Sequence, residues 1–172
     1  MSGIYIHIPF CKQACHYCDF HFSTSMQKKD EMVLALAKEI ELRKNEFEND
    51  VVETIYFGGG TPSILEISDI KLLIDAVYKH FDVIENPEIT VEANPDDLSN
   101  ERIIELSNNR INRLSIGIQS FFEDDLQLMN RAHNADEAKK CLEFATQYFD
   151  NISIDLIYGM PNMSNEKWLQ NI

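Results

Sequence analysis

The chain has 172 residues, 44% hydrophobic and 26% charged, with a formal net charge of −14 from 15 basic and 29 acidic side chains. That length makes about one domain with a substantial core. No stretch approaches the roughly 20 apolar residues that span a bilayer. Lys and Arg form no cluster beyond pairs such as Lys28-Lys29 and Lys139-Lys140, so the basic footprint of a nucleic-acid binder is excluded. The opening MSGIYIHIPF carries neither the basic lead nor the cleavage site of a signal peptide, so the expected compartment is the cytoplasm. There cysteines serve metals or catalysis more than disulfides.

Taken in chain order, the pattern alternates. A strand at 3–8 (GIYIHI) runs into a cysteine-rich loop, and a helix follows from about Lys28 to Glu48 with Met32, Leu36, Ile40 and Phe47 near one face. A strand at 52–58 precedes a helix introduced by Ser68 and carrying Ile70, Leu73, Ile74 and Val77. Next come a strand at 88–93, a helix over 99–109 with Ser99 as N-cap, a strand at 113–119, a helix over 135–149 and a strand at 152–158. Asn162 or Ser164 caps a last helix that has no stop signal before Ile172. Five strand-then-helix units imply a parallel sheet with right-handed crossovers, in one α/β domain over 1–172.

Parallel strands covered on both faces read as unbroken apolar runs. These do not. One alternate set is aliphatic: Ile4, Ile6 and Ile8, then Ile55 and Phe57, Ile89 and Val91, Leu114, Ile116 and Ile118, and Ile152, Ile154 and Leu156. The other is small or polar, from Tyr5 and His7 through Tyr56, Glu92, Ser115 and Gly117 to Ser153 and Asp155. Successive strand side chains point to opposite faces, so one face meets the helices and the other lines something wet or ligand-filled. An open, curved (β/α) barrel with a polar lumen fits, rather than a barrel packed with branched residues.

HIPFCKQACHYCDF (7–20) places Cys11, Cys15 and Cys18 directly after the first strand, at the end where barrel enzymes keep their chemistry. Three thiolates there can hold three corners of a [4Fe–4S] cubane and leave the fourth iron open. The alternative is a zinc site completed by His7, His16 or His21. Cys141, on the apolar side of a helix, reads as a small core hydrophobe. The glycines at 58–60 would let backbone approach a ligand and supply N–H donors. Glu92 and Asp155, on the polar face near strand ends, need a cationic or hydroxyl partner, and Arg131 could take a carboxylate in a bidentate fork. His7 is expected to pack beneath the site, and His16 and His21 to be ordinary loop residues.

CKQACHYC resembles the cluster loop of the radical S-adenosylmethionine (SAM) superfamily, whose fold is a partial (β/α)6 barrel. That resemblance implies a [4Fe–4S] cluster whose open iron chelates SAM and whose electron generates a 5′-deoxyadenosyl radical, chemistry that belongs to the cofactor. More narrowly, YIHIPFC, YFGGGTPS, VEANP, RLSIGIQSF and IDLIYGMP are similar, in order, to the blocks of the oxygen-independent coproporphyrinogen III oxidase family. By that resemblance Tyr5, Gly59 and Glu92 contact the cluster-bound SAM. Tyr17, Gly60, Thr61, Gln119, Arg131 and Asp155 contact a second SAM or a substrate-side ligand.

In the family's oxidases another cysteine typically stands two positions after the third, where this chain has Phe20. The CDF form resembles the heme-chaperone branch (HemW-type proteins), which implies binding of heme and its transfer to an acceptor protein, with an electron-donor protein as a further partner. The alternative is oxidative decarboxylation of coproporphyrinogen III. Five strands where the family barrel has six suggest an N-terminal fragment, with the heme-binding part beyond residue 172. An unpaired strand edge would then invite self-association.

Overall fold

Five strands lie side by side in chain order, all parallel: β1 (Ser2–Ile8), β2 (Val52–Gly59), β3 (Val83–Ala93), β4 (Arg113–Gln119) and β5 (Ile152–Leu156). This is a computed structural model, and it describes residues 2–46 and 50–172. The connections carry α1 (Lys29–Leu42), α2 (Ile67–His80), α3 (Asn100–Ser107), α4 (Glu123–Leu128) and α5 (Ala135–Ala145), and α6 (Asn165–Asn171) follows the last strand. A strand order that never reverses, crossed in one hand, stacks the helices on a single face. The sheet is therefore an open piece of a (β/α) barrel.

The period-two split decides which face that is. Ile55, Phe57, Ile89, Val91, Leu114, Ile116 and Ile118 are essentially inaccessible, packed into one cluster with Ile70, Leu73 and Val77 of α2, Ile103 and Leu106 of α3, and Ala138, Cys141 and Ala145 of α5. On the opposite face Arg113 lies across the sheet, its Nη1 donating to Thr90 Oγ1 (3.2 Å) and its Nη2 to Ser153 Oγ (3.0 Å), while Ser153 Oγ donates to Ser115 Oγ (3.1 Å). Side-chain hydrogen bonds thus fill the polar face nearer the strands' amino ends and leave the carboxyl ends open.

Local signals explain most boundaries. Ser99 Oγ accepts from Arg102 N at the start of α3, Asn134 and Glu137 form a reciprocal capping box on α5, and Ser164 caps α6. Asn162 instead takes a left-handed backbone, φ +65°. Ser68 does not introduce α2. A 3₁₀ turn at Pro62–Ile64 leaves the chain extended at Glu66, and the helix starts at Ile67. The first helix ends at Leu42, short of Glu48, and Phe47 lies outside the described residues. β3 begins five residues earlier than expected, because Val83 already pairs with Val52 and Asn112 mends the ladder around Pro87, donating through Nδ2 to its carbonyl and accepting from Ile89 N. β5 ends two residues early. A register shift opposite Gly117 and Gln119, the latter at φ +69°, turns the chain out of the ladder. The helix expected over 135–149 ends at Ala145, and α4 is an additional short helix.

No helix among the described residues is long and apolar enough to cross a membrane. Ile116→Ala, in the fully buried centre of β4, should lower the unfolding free energy by about 2–5 kcal/mol. Leu34→Ala, on the exposed side of α1, should change it by less than about 0.5 kcal/mol. Urea unfolding monitored by circular dichroism measures both.

Candidate functional site

The cysteine loop leaves β1 at Ile8 and is held by hydrogen bonds at both flanks. Cys11 N donates to Ser23 O (3.0 Å) and Ser23 N to Pro9 O (2.7 Å), closing the loop on itself. The segment after α4 cradles the other side. His16 N donates to Met129 O (3.0 Å), Gln13 Nε2 to Asn130 O (2.7 Å) and Asn130 Nδ2 to Ala14 O (2.8 Å), with Asn130 itself in a left-handed conformation. The His16 ring sits 3.0 Å from Leu128 O through Nδ1, so His16 anchors the loop rather than idling in it. Lys12 pairs with Asp97, whose other oxygen accepts from Ser63 Oγ (3.0 Å).

Between these supports lies a cavity of about 420 Å³ at the carboxyl ends of the strands, onto which Cys11, Cys15 and Cys18 open. Tyr17, Gly59, Gly60, Thr61, Glu92, Gln119, Arg131 and Asp155 also line it. Tyr5 does not. It stands largely exposed on β1, stacked against Tyr56 (centroids 5.9 Å apart), with its hydroxyl 3.2 Å from His7 Nδ1. His7 is partly buried, with its ring packed against the Gly59 backbone, 2.6 Å from where a Cβ there would stand.

Two expectations about donors need correction. The glycine run offers few free N–H groups. Gly59 N donates to Glu92 Oε2 (3.0 Å), Gly60 N to Ile8 O (2.8 Å) and Thr61 N to Phe10 O (2.8 Å). The glycines instead allow close approach: Gly59 has φ +116°, and a Cβ on Gly60 would lie 2.6 Å from Phe10 O and 3.0 Å from Cys11 Sγ. Nor is the Arg131 fork free. Its Nη1 donates to Cys15 Sγ (3.3 Å) and Tyr17 Oη (3.2 Å), and its Nη2 to Asn94 Oδ1 (2.6 Å) and Gly117 O (2.7 Å). Of the five guanidinium N–H groups, the one on Nε is buried without a partner.

Sequence reasoning passed over several residues that matter here. Asn94 joins Arg131 to Thr61, its Nδ2 donating to Thr61 Oγ1 (3.1 Å), and Thr61 Oγ1 donates to Cys11 Sγ (3.5 Å). Tyr56 Oη donates to Glu92 Oε1 (2.7 Å), so both oxygens of that carboxylate are fixed by protein donors. Burial, then the hydrogen bond to Glu92 and its charge, push the Tyr56 hydroxyl up to about 12, which keeps it a donor at ordinary pH. Burial likewise pushes the Tyr17 hydroxyl up to about 12, against the pull of Arg131. Cys141 is buried away from this cavity, with its thiol pushed up to about 11 by desolvation, as a core residue would be.

These features define a class of protein. A sequence model of the radical SAM superfamily matches residues 5–172, and the chain belongs to that superfamily. Among curated proteins it is 36% identical to the heme chaperone HemW of Buchnera aphidicola (subsp. Acyrthosiphon pisum) over 99% of this chain and 46% of that protein. It is 38% identical to the heme chaperone HemW of Bacillus subtilis over 95% of this chain and 44% of that one. The chain thus spans less than half the length of these relatives. Among solved structures it is similar to the coproporphyrinogen III oxidase HemN of Escherichia coli, a radical SAM enzyme, with TM-score 0.87 and 31% identity over 98% of this chain and 40% of that one.

Membership implies a [4Fe–4S] cluster and SAM, and the residues present fit them. Three thiols face one cavity, and two of the sulfurs accept from Thr61 Oγ1 and Arg131 Nη1, the outer hydrogen bonding that cluster ligands take. No three His, Cys, Asp or Glu side chains among the described residues form a group that holds one metal ion. A cubane binds each thiolate at a different iron, so it does not need three ligands converging on one ion.

His133, two residues beyond Arg131, is buried with its Nε2 3.1 Å from Ile118 O and its Nδ1 without a partner. Desolvation first, then the Arg131 charge, pulls its pKa down to about 4, against the weaker pull of Ile118 O, Glu137 and Glu123. The folded pKa lies below the ordinary value near 6.5, so the fold holds the neutral ring. That stability is complete above about pH 6.5 and is lost as pH falls toward 4, up to about 3 kcal/mol at 1.36 kcal/mol per unit. Urea titrations of the wild type and His133→Gln across pH 4–7 should show a steeper acid loss in the wild type.

Proposed function

We propose that residues 1–172 form the radical SAM core domain of a cytoplasmic heme chaperone, which binds heme and passes it to an acceptor protein. The observation that carries this reading is Phe20. It lines the cysteine cavity and is among the most exposed large apolar side chains of the chain, at the position where the resemblance places a further cysteine in the oxidases. The names of the curated relatives support it too. The second reading, an oxygen-independent coproporphyrinogen III oxidase, is favoured by the likeness to HemN.

In either case Cys11, Cys15 and Cys18 would hold the cluster, which when bound supplies the electron that cleaves SAM. Glu92, oriented by Tyr56 and Gly59, would receive the ammonium or the ribose hydroxyls of SAM beside Gly59, with Tyr5 at the rim. Tyr17, Gly60, Thr61, Gln119, Arg131 and Asp155 would face a second SAM or a substrate-side ligand. Heme or a porphyrin, an electron-donor protein and a heme acceptor are the partners this function requires.

Two thiolates hold a cubane poorly, so Cys15→Ala should abolish the paramagnetic signal of the dithionite-reduced, reconstituted protein; unchanged iron content would contradict the assignment. Glu92→Ala should keep its iron and weaken SAM binding at least tenfold by calorimetry, since a charge-assisted contact is worth about 1.5–3 kcal/mol. Given coproporphyrinogen III and SAM, the reconstituted full-length protein should release no vinyl product. Its appearance would replace the chaperone by the oxidase.

A further inference from the structure

The polar contacts between Arg131 and Cys11 run in one direction. A guanidinium has donors and no acceptor, so the Asn94 atom 2.6 Å from Arg131 Nη2 is the carbonyl oxygen Oδ1. That choice fixes the amide, which elsewhere is a matter of assignment, and turns Nδ2 toward Thr61 Oγ1 at 3.1 Å. The Thr61 hydroxyl has a single proton. Because its oxygen accepts from Asn94, the proton is free to point at Cys11 Sγ. Thr61 is buried at the cavity wall, and its hydroxyl oxygen is 3.5 Å from Cys11 Sγ. Room for the arrangement comes from Gly117, where a Cβ would lie 3.2 Å from Asn94 Oδ1 and 3.5 Å from Arg131 Nη2.

We propose that Asn94 is a positioning residue that completes a one-way donor relay, Arg131 to Asn94 to Thr61 to the Cys11 sulfur, and thereby raises the reduction potential of the cluster. One guanidinium then serves two cysteines: Cys15 directly through Nη1 and Cys11 through two intermediaries. Donors at a ligand sulfur stabilise the extra electron of the reduced state, and hydrogen bonds to the sulfurs are among the levers that set cluster potentials. Linked donors also polarise one another. An asparagine is the side chain that fits, because it accepts at one end and donates at the other. Aspartate in its place would accept from both neighbours and draw the Thr61 proton away from the sulfur. The proposal rests on the cluster assignment above.

The test is a dithionite titration of the reconstituted full chain, followed by electron paramagnetic resonance, with iron content measured on each sample. At a fixed potential the reduced-to-oxidised ratio in Asn94→Leu should fall about tenfold, a shift of about 59 mV for one electron. Thr61→Val should shift in the same direction, and Thr61→Ser, which keeps the hydroxyl, should return to the wild-type value. In the Thr61→Val background, Asn94→Leu should add much less than it does alone, since its route to Cys11 is gone. If Asn94→Leu takes up no iron, Asn94→Asp replaces it. Its shift must shrink in the Thr61→Val background, because only the bare effect of its charge then remains. A loaded Asn94 variant with the wild-type potential, or Asn94 and Thr61 effects that add in full, overturns the relay alone. A wild-type chain that takes up no cluster overturns the underlying assignment.

Discussion

A parallel sheet with helices on one side only has to dispose of its other face, and that constraint shapes the rest of this molecule. Water cannot be kept off a surface that nothing covers, so aliphatic side chains there would be left exposed. The chain puts its aliphatics at every second position and sends them all to the helices, where Ile55, Ile89, Leu114 and Ile116 are inaccessible. What remains on the inner side must be polar, and each polar group there needs a partner. Toward the amino ends of the strands Arg113, Thr90, Ser153 and Ser115 satisfy one another. Toward the carboxyl ends the partners come from connecting loops, and a cavity remains between sheet and loops.

The cysteine loop could not hold its form as a free excursion. Between Ile8 and α1 it has no regular secondary structure beyond an isolated bridge between Phe10 and Ser23, and ordering such a segment costs about 1–2 kcal/mol per residue. The cost is offset by a segment more than a hundred residues further on. Leu128, Met129 and Asn130 offer carbonyls to His16 and Gln13, Asn130 returns a donor to Ala14, and Arg131 reaches Cys15 and Tyr17. Cys15 thereby lies under a protein donor, as Cys11 does under Thr61, before any iron arrives. Preorganisation of this kind lowers the ordering cost at the moment of binding.

How much of this was legible in the sequence follows from the range of each interaction. The two-faced sheet was legible because parity is written inside every strand, and the caps at Ser99 and Ser164 because they are decided within three residues. The three-cysteine spacing announced the site for the same reason. The grip of 128–131 on the loop was not legible, since it is made largely by backbone carbonyls, which every residue possesses. The full commitment of Arg131 was hidden likewise: Gly117 O and Asn94 Oδ1 come to it only through the pairing of β3 with β4. The early start of β3 was masked by Pro87, which has no N–H to donate, and was recovered by an asparagine from the next loop.

Charge gives the cavity a preference beyond its shape. Among the residues that line it, Arg131 is the one permanent cation, against the carboxylates of Glu92 and Asp155 and three thiols that must ionise to bind metal. Arg131 is moreover turned toward Asn94, Gly117, Tyr17 and Cys15, so much of its charge is answered within the protein. The chain's net charge of −14 adds a background of the same sign, screened over about 8–10 Å in physiological salt. A ligand entering here therefore meets a field that favours positive charge. SAM, with a sulfonium and an ammonium against one carboxylate, carries a net positive charge and suits that field.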